Sequence, residues 1–352
     1  MTTSPLYLAA LAVGALGVEI VSTRQPFVET EDFVSGCVLD SQGRHWMVKV
    51  PQNGTAATSL EAEAALAPQL LEELRAGRLP FDIMRPAGFV DADTGGRAVV
   101  YPEPFGRALV FEALGEEEVR EMGRTLAAIH SIDRDVVARS GLPVYTAGQW
   151  RARVHAELEA ADQETSLPTI LRQRWMDVLD SDEVWDFEET VVHGDVASDN
   201  FLWSNGSVAS VLGFGEAHVG DPARDLAAML VLDDEQWPSF ITSYENARSV
   251  ELREADYTRI IFTSEFAIIR WLMYGIRTGS MEIRNDAVQM LGALAEDVRE
   301  APDLLPAPPA SEPVFTESAS DAEASGADEL TGETAVTAPD WADPHEAEFP
   351  PR

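Results

Sequence analysis

A three-residue apolar strand, Thr190-Val-Val192, runs directly into the polar stretch His193-Gly-Asp-Val-Ala-Ser-Asp-Asn200. Such a stretch belongs on a loop. Asp195 and Asn200 stand five positions apart on it, the spacing of a phosphoryl-transfer catalytic loop. That chemistry needs both groups. A carboxylate orients the acceptor hydroxyl and takes its proton, and an amide oxygen five residues on can turn back to ligate the magnesium on a nucleotide. A polar surface turn could carry similar residues, but it would not be followed by the second motif, Gly220-Asp-Pro-Ala-Arg-Asp-Leu-Ala227.

At 352 residues, 45% of them hydrophobic, the chain can bury a sizeable core in two domains, or in one domain with extensions. Its 61 acidic and 25 basic residues give a formal net charge of −36. That balance repels nucleic acid phosphates and anionic membrane surfaces and could attract a cationic substrate, but general solvation is the favoured account of it. With Cys37 as the single cysteine there is no intrachain disulfide, which fits a reducing, cytoplasmic setting. The six His residues form no HxxH or HxxxH pair and CxxC is absent, so a zinc site is not expected. The apolar run 6–18 has no basic residue before it and is too short to span a bilayer, which favours a helix packed on the first lobe over a leader.

From Ala301 the chain changes character. Residues 301–352 are rich in Pro, Ala, Ser, Asp and Glu, with twelve acidic residues against one basic, and carry −11 of the −36. This stretch is expected to stay disordered. The first part reads as strands and one helix: runs 33–39 and 45–50 flank the turn Asp40-Ser-Gln-Gly-Arg, a helix is expected over 59–76, and a strand over 98–101. Pro102-Glu-Pro-Phe-Gly breaks that strand and marks a lobe boundary. Helical patterns follow at 116–131, 149–161, 169–179, 221–232, 257–274 and 284–299. The expected organisation is a two-lobed α+β fold: a small β-rich lobe at 1–100, a larger helical lobe at 101–300, and the tail.

Lys49 ends the strand His-Trp-Met-Val-Lys, where kinases place a lysine on nucleotide phosphates, and it is the only Lys among 25 basic residues. Lys is a compact point charge on a flexible stem, not interchangeable with Arg. Neither GxGxxG nor GxxxxGK[ST] occurs, which excludes a P-loop NTPase.

HGDxxxxN at 193–200, a short hydrophobic hairpin and GDPxxDLA at 220–227 together resemble the aminoglycoside phosphotransferase and choline kinase-like family. The likeness spans roughly 28–295, and its N-terminal helix looks most like macrolide phosphotransferase-like members. It implies a protein-kinase-like fold and transfer of the γ-phosphoryl group of ATP or GTP, with Mg2+, to a hydroxyl of a small molecule. By the same resemblance Asp195 is the catalytic base and Asn200 a metal ligand. Lys49 holds the phosphates and Glu63, on the helix after it, orients the lysine, while Glu61, two residues away, points elsewhere. His193 and Asp221 become structural supports, and Tyr101–Phe105 the hinge that meets the purine.

One position departs from the family pattern. The stretch reads Val211-Leu-Gly-Phe-Gly-Glu-Ala-His218, and counting back from Asp221 puts Gly213 where the family has a metal-binding Asp. Either a nearby acid, Glu216 or Asp221, takes over or Asn200 holds one ion alone; otherwise the chain is a pseudokinase that binds without turnover. Hydrolysis through a Ser-His-Asp triad is not supported, since no GxSxG elbow is present. Acceptor, nucleotide preference and oligomeric state leave no readable motif.

Overall fold

The computed structural model describes residues 4–301. The acidic stretch expected to be disordered, Ala301 aside, lies outside the described residues.

Helix α1 (Pro5–Leu16) begins the fold. Ser4 caps it by accepting the Tyr7 N–H, Pro5 fills the first turn, and Gly17 ends it in the left-handed conformation. Its Leu8, Leu11 and Ala12 are buried against Val34, Val38, Val48, Val50, Ala98 and Val100 of a sheet. Each fully buried Leu stabilises that contact by roughly 2 kcal/mol.

The sheet is antiparallel, in the order β1-β2-β3-β6-β5. Its strands are β1 (Ile20–Glu29), β2 (Phe33–Asp40), β3 (His45–Pro51), β5 (Gly88–Asp91) and β6 (Arg97–Pro102). The β2–β3 register pairs Leu39 with His45, so residues 40–44 form the expected turn. Strand β1 carries no alternating pattern because it is a largely exposed edge; its pairing slips between Arg24 and Phe27, where Pro26 stands. Helix α2 (Gly54–Arg75) starts five residues before the expected position. Asn53 caps it through the Ala56 N–H, a signal the apolar periodicity does not carry.

Two small sheets lie beyond. One, ordered β4-β10-β9-β7, contains β4 (Asp82–Ile83), β7 (Arg107–Ala108), β9 (Phe201–Ser204) and β10 (Ser207–Val211); the other pairs β8 (Thr190–Val192) with β11 (His218–Gly220). Around them stand α3 (Glu116–His130), α4 (Arg134–Arg139), α5 (Ala147–Glu164), α6 (Thr169–Asp180), α7 (Ala223–Leu226), α8 (Gln236–Arg248), α9 (Glu254–Thr278) and α10 (Met281–Glu300). The continuous helix expected over 221–232 is instead α7 and a 3-10 turn, Ala227–Val231. Asp225, within α7, accepts from the backbone of the loop that follows β8. Met122, Leu126 and Ile129 of α3 share a core with Phe240, Ile241 and Tyr244 of α8, while α5, α6, α9 and α10 close a second core around Trp175 and Phe266. The result is the two-lobed α+β architecture, sheet first and helices after. No described helix is long and apolar enough to cross a membrane.

Candidate active site

All three residues of β8 are buried, and the strand delivers the polar loop at its end. The loop turns at Gly194, whose φ is +84° and whose Cα faces the Glu216 carbonyl so closely that a Cβ would lie 2.4 Å from that oxygen. Only glycine fits there. The backbone N–H groups of His193 and Gly194 donate to the two oxygens of Asp225, at 2.6 and 2.8 Å. The His193 ring is fully buried. Its Nε2–H donates to the Leu212 carbonyl at 2.7 Å, and Nδ1 accepts the Asp195 N–H at 3.2 Å. This ring joins the loop to the segment entering Gly213.

A buried relay stands behind Asp225. Tyr244 Oη lies 2.8 Å from His130 Nδ1, and His130 Nε2 lies 3.1 Å from Asp225 Oδ2. Burial raises the Asp225 carboxyl, but hydrogen bonds from His130 and the loop amides outweigh it and leave the pKa below the ordinary value. Burial pushes the His130 imidazole down despite its acidic partner. The sequence motif contains Asp225, yet nothing in it shows that this Asp holds the loop. His130, at the end of an amphipathic helix, carries no sequence signal at all.

The Asn200 amide bends back over Asp195, donating to its carbonyl at 2.9 Å and to Oδ2 at 3.0 Å. That leaves Asn200 Oδ1 turned toward Gly213, where φ is +76° and an ideal Cβ would lie 2.6 Å from Oδ1. Glu216, on the following turn, has its carboxyl raised by desolvation and then by the charge of Asp195. Asp221 is fully buried and engaged elsewhere: Oδ1 meets Arg259 Nε at 2.8 Å, and that guanidinium also binds Asp256 and the Val184 carbonyl. Of the two substitutes the sequence suggests, Asp221 thus has one oxygen tied into a buried ion pair, while its Oδ2 has no hydrogen-bond partner. Among the described residues no group of three or more His, Cys, Asp or Glu side chains could hold a metal ion. The donor set, one amide oxygen with no carboxylate at 213, does not fit the magnesium pair of a two-metal kinase.

Across the cleft, Lys49 Nζ lies 3.9 Å from Glu63 Oε2 and 4.3 Å from the centroid of the Phe33 ring. Glu63 is buried on α2 beside the Tyr101 hydroxyl, which burial and then the Glu63 charge hold well above its ordinary pKa. Glu61 faces away and forms a two-point pair with Arg97, at 2.8 and 2.5 Å. The expected hinge has few free donors: Pro102 and Pro104 lack an N–H, and the Glu103 N–H is engaged with the His45 carbonyl at 3.0 Å.

An antiparallel sheet whose lysine faces a glutamate on the adjoining helix, followed by a helical part that presents an Asp/Asn loop, defines the kinase-like phosphotransferase fold. The chain belongs to the phosphotransferase enzyme family (APH), whose sequence model matches residues 37–260. The macrolide 2'-phosphotransferase MphH of Brachybacterium faecium, solved as the apoenzyme, has a TM-score of 0.68 at 19% identity, covering 81% of this chain and 97% of that one. The GDP complex of wild-type aminoglycoside 2'-phosphotransferase-IIIa also has a TM-score of 0.68, at 17% identity, covering 84% and 99%. The Bacillus subtilis (strain 168) protein YcbJ, itself described as uncharacterized, is 26% identical over 130 residues, 37% of this chain and 42% of YcbJ. The match thus spans under half the length of that curated relative. At these identities the solved neighbours establish the fold.

Proposed function

We propose that the protein transfers the γ-phosphoryl group of ATP or GTP to a hydroxyl of a small molecule, within a nucleotide lobe at 1–100 and a catalytic lobe at 101–300. The observation that carries this reading is the braced loop: Asp195 is fixed by Asn200, His193 and, through the Gly194 amide, Asp225. Asp195 accepts the proton of the acceptor hydroxyl, Lys49 sits where nucleotide phosphates would lie, and Glu63 draws its ammonium into place. Catalysis then rests on positioning and electrostatics, with no covalent intermediate. The solved neighbours are macrolide and aminoglycoside phosphotransferases, one of them a GDP complex, which supports a nucleotide donor and a hydroxylated acceptor.

A second reading, nucleotide binding without turnover, is favoured by the space at Gly213, which the Asn200 side chain fills. Calorimetry with ATP and GTP, with and without magnesium, on wild type, Lys49→Ala and Asp195→Asn tests both. Magnesium-dependent binding that Lys49→Ala weakens, followed by turnover that Asp195→Asn abolishes, supports the first reading. Binding indifferent to magnesium and no turnover supports the second; no binding at all sinks both.

A further inference from the structure

A cavity of about 940 Å³ opens beside the catalytic loop, between the first turns of α2, one face of α5 and the second half of α9. Arg153, Arg224, Arg270 and Arg277 line it, and its acidic lining is limited to Glu157 and Glu216. Glu157 is shared between two of the arginines, with Oε1 3.2 Å from Arg153 Nε and Oε2 3.0 Å from Arg270 Nε. Nη1 of Arg270 is buried with no hydrogen-bond partner. Among the described residues the side chains of Arg224 and Arg277 form no ion pair or hydrogen bond; Arg277 only lies over the Tyr274 ring, at 5.3 Å.

Positive charge concentrated this way is costly to the fold. Burial, and then the charge of Arg224, pull Arg270 below the usual guanidinium range. Nor does composition account for the cluster, since the chain carries a net charge of −36. A buried guanidinium donor without a hydrogen-bond partner, beside two guanidinium groups that form no ion pair or hydrogen bond among the described residues, is what an anionic ligand would satisfy, because the planar fork of Arg matches phosphate and carboxylate oxygens in pairs. The start of α2 adds to this: Gly54 and Thr55 line the cavity at the positive end of a 22-residue helix.

Arg224 and Arg270 also line, together with Asp195, the recess next to the cavity. A molecule whose hydroxyl met Asp195 would therefore lay its remainder on the arginines. Lys49 and Asn200 do not line the cavity, which separates it from the place of the nucleotide phosphates. We propose that this cavity is the acceptor subsite, and that the acceptor is a small hydroxylated molecule bearing an anionic group, a phosphate or a carboxylate. The choice of acceptor rests on the phosphotransferase reading; the anion site itself does not.

The test is a charge ladder on one scaffold: glucose 6-phosphate, gluconate, glucose and glucosamine, titrated into the full chain beside inorganic phosphate. Binding should favour the two anionic members and phosphate over glucose, with glucosamine weakest. Arg224→Gln and Arg277→Gln, which break no ion pair or hydrogen bond among the described residues, should each weaken the anionic members about tenfold and leave glucose unchanged. Preference for glucosamine, unchanged anion affinity in both variants, or failure of all the anions to bind would overturn the proposal. So would ATP competing for the cavity and losing as much affinity in the arginine variants, since the anion would then be the nucleotide's. Nucleotide binding without anion preference fails this inference alone. Anion binding that persists in Lys49→Ala, in a protein that binds no nucleotide, leaves the anion site standing and fails the phosphotransferase reading.

Discussion

The Asn200 side chain occupies the space that a side chain at Gly213 would need: its Oδ1 lies 2.6 Å from the ideal Cβ position, its Cγ 2.8 Å and its Nδ2 2.9 Å. The missing carboxylate is therefore more than a deletion. The amide has turned into the gap while staying bonded to Asp195, and the backbone at 213 has taken a left-handed conformation that glycine accepts freely.

Putting the carboxylate back separates strain from ligand gain when two variants are compared. Gly213→Ala should lose about 1–2 kcal/mol of stability, from the positive φ and the push on Asn200. Gly213→Asp should lose a similar amount and, unlike the alanine variant, strengthen magnesium-dependent nucleotide binding. Urea melts give the first quantity and calorimetry the second. An aspartate variant that binds no better than the alanine one would mean that the lobes no longer close on a metal.

Acid should weaken the protein in two windows, both traceable to the relay behind the loop. His130, facing Asp225 and Tyr244 with Arg248 and Asp221 in range, has a folded pKa below its ordinary 6.5. It binds fewer protons folded than unfolded, so the stability it contributes is full above about 6.5 and is lost as pH falls. Asp225 is also held below its ordinary 3.8, so its contribution is present above that value and lost as pH falls through the folded pKa. His218, lowered by burial, adds to the first window. His130→Gln, which can still donate to Asp225 and accept from Tyr244, should be less stable at neutral pH and show a shallower decline between about pH 6.5 and 5. Denaturant midpoints against pH measure this, and an unchanged slope would remove His130 from the account.

Elements whose signals are local are legible in the amino-acid order itself. The β2–β3 hairpin follows from its turn residues, α3 from its apolar face, and β8 from a β-branched run, Thr190-Val-Val192, ahead of a polar loop. Likewise, the Asp195/Asn200 spacing and the singular Lys49 point to the site. Three things are not legible, for a common reason. The early start of α2 depends on the Asn53 cap, the hold of Asp225 on the loop on where α7 packs, and the arginine cluster on α5, α7 and α9 meeting across a cavity. Each is settled by packing and hydrogen bonding in the folded chain, not by periodicity. Arg153, Arg224, Arg270 and Arg277 are spaced like ordinary surface charges, and only the meeting of their helices brings them together.

Lys49 offers a graded test of the nucleotide side. Its ammonium is held loosely, 3.9 Å from Glu63, with the Phe33 ring on its other side. With the phosphates on Lys49 as proposed, Lys49→Ala would remove a charge-assisted contact and should weaken nucleotide binding about tenfold to a hundredfold. Lys49→Arg keeps the charge but puts a broader, planar group between Glu63 and Phe33, and should recover only part of that loss. Equal binding by all three proteins would place the phosphates elsewhere.

The two acids near the vacant ligand position should part company on mutation. Asp221 Oδ1 is bonded to Arg259 at 2.8 Å and to the Ala223 N–H at 3.0 Å, inside the core. Removing it leaves the buried Arg259 guanidinium with Asp256 as its remaining charged partner, so Asp221→Ala should cost about 3 kcal/mol, the low end for a broken buried pair, in a denaturant melt. The magnesium dependence of nucleotide binding should survive in whatever fraction remains folded. Glu216 instead opens onto the acceptor cavity, and its carboxyl already feels Asp195. Glu216→Gln should leave stability within about 0.5 kcal/mol, as for surface changes that break no buried contact. If Glu216 stands in for the lost carboxylate, the same variant lowers magnesium affinity while Asp221→Ala does not. The opposite pattern would return Asp221 to the metal and require Arg259 to release it on binding.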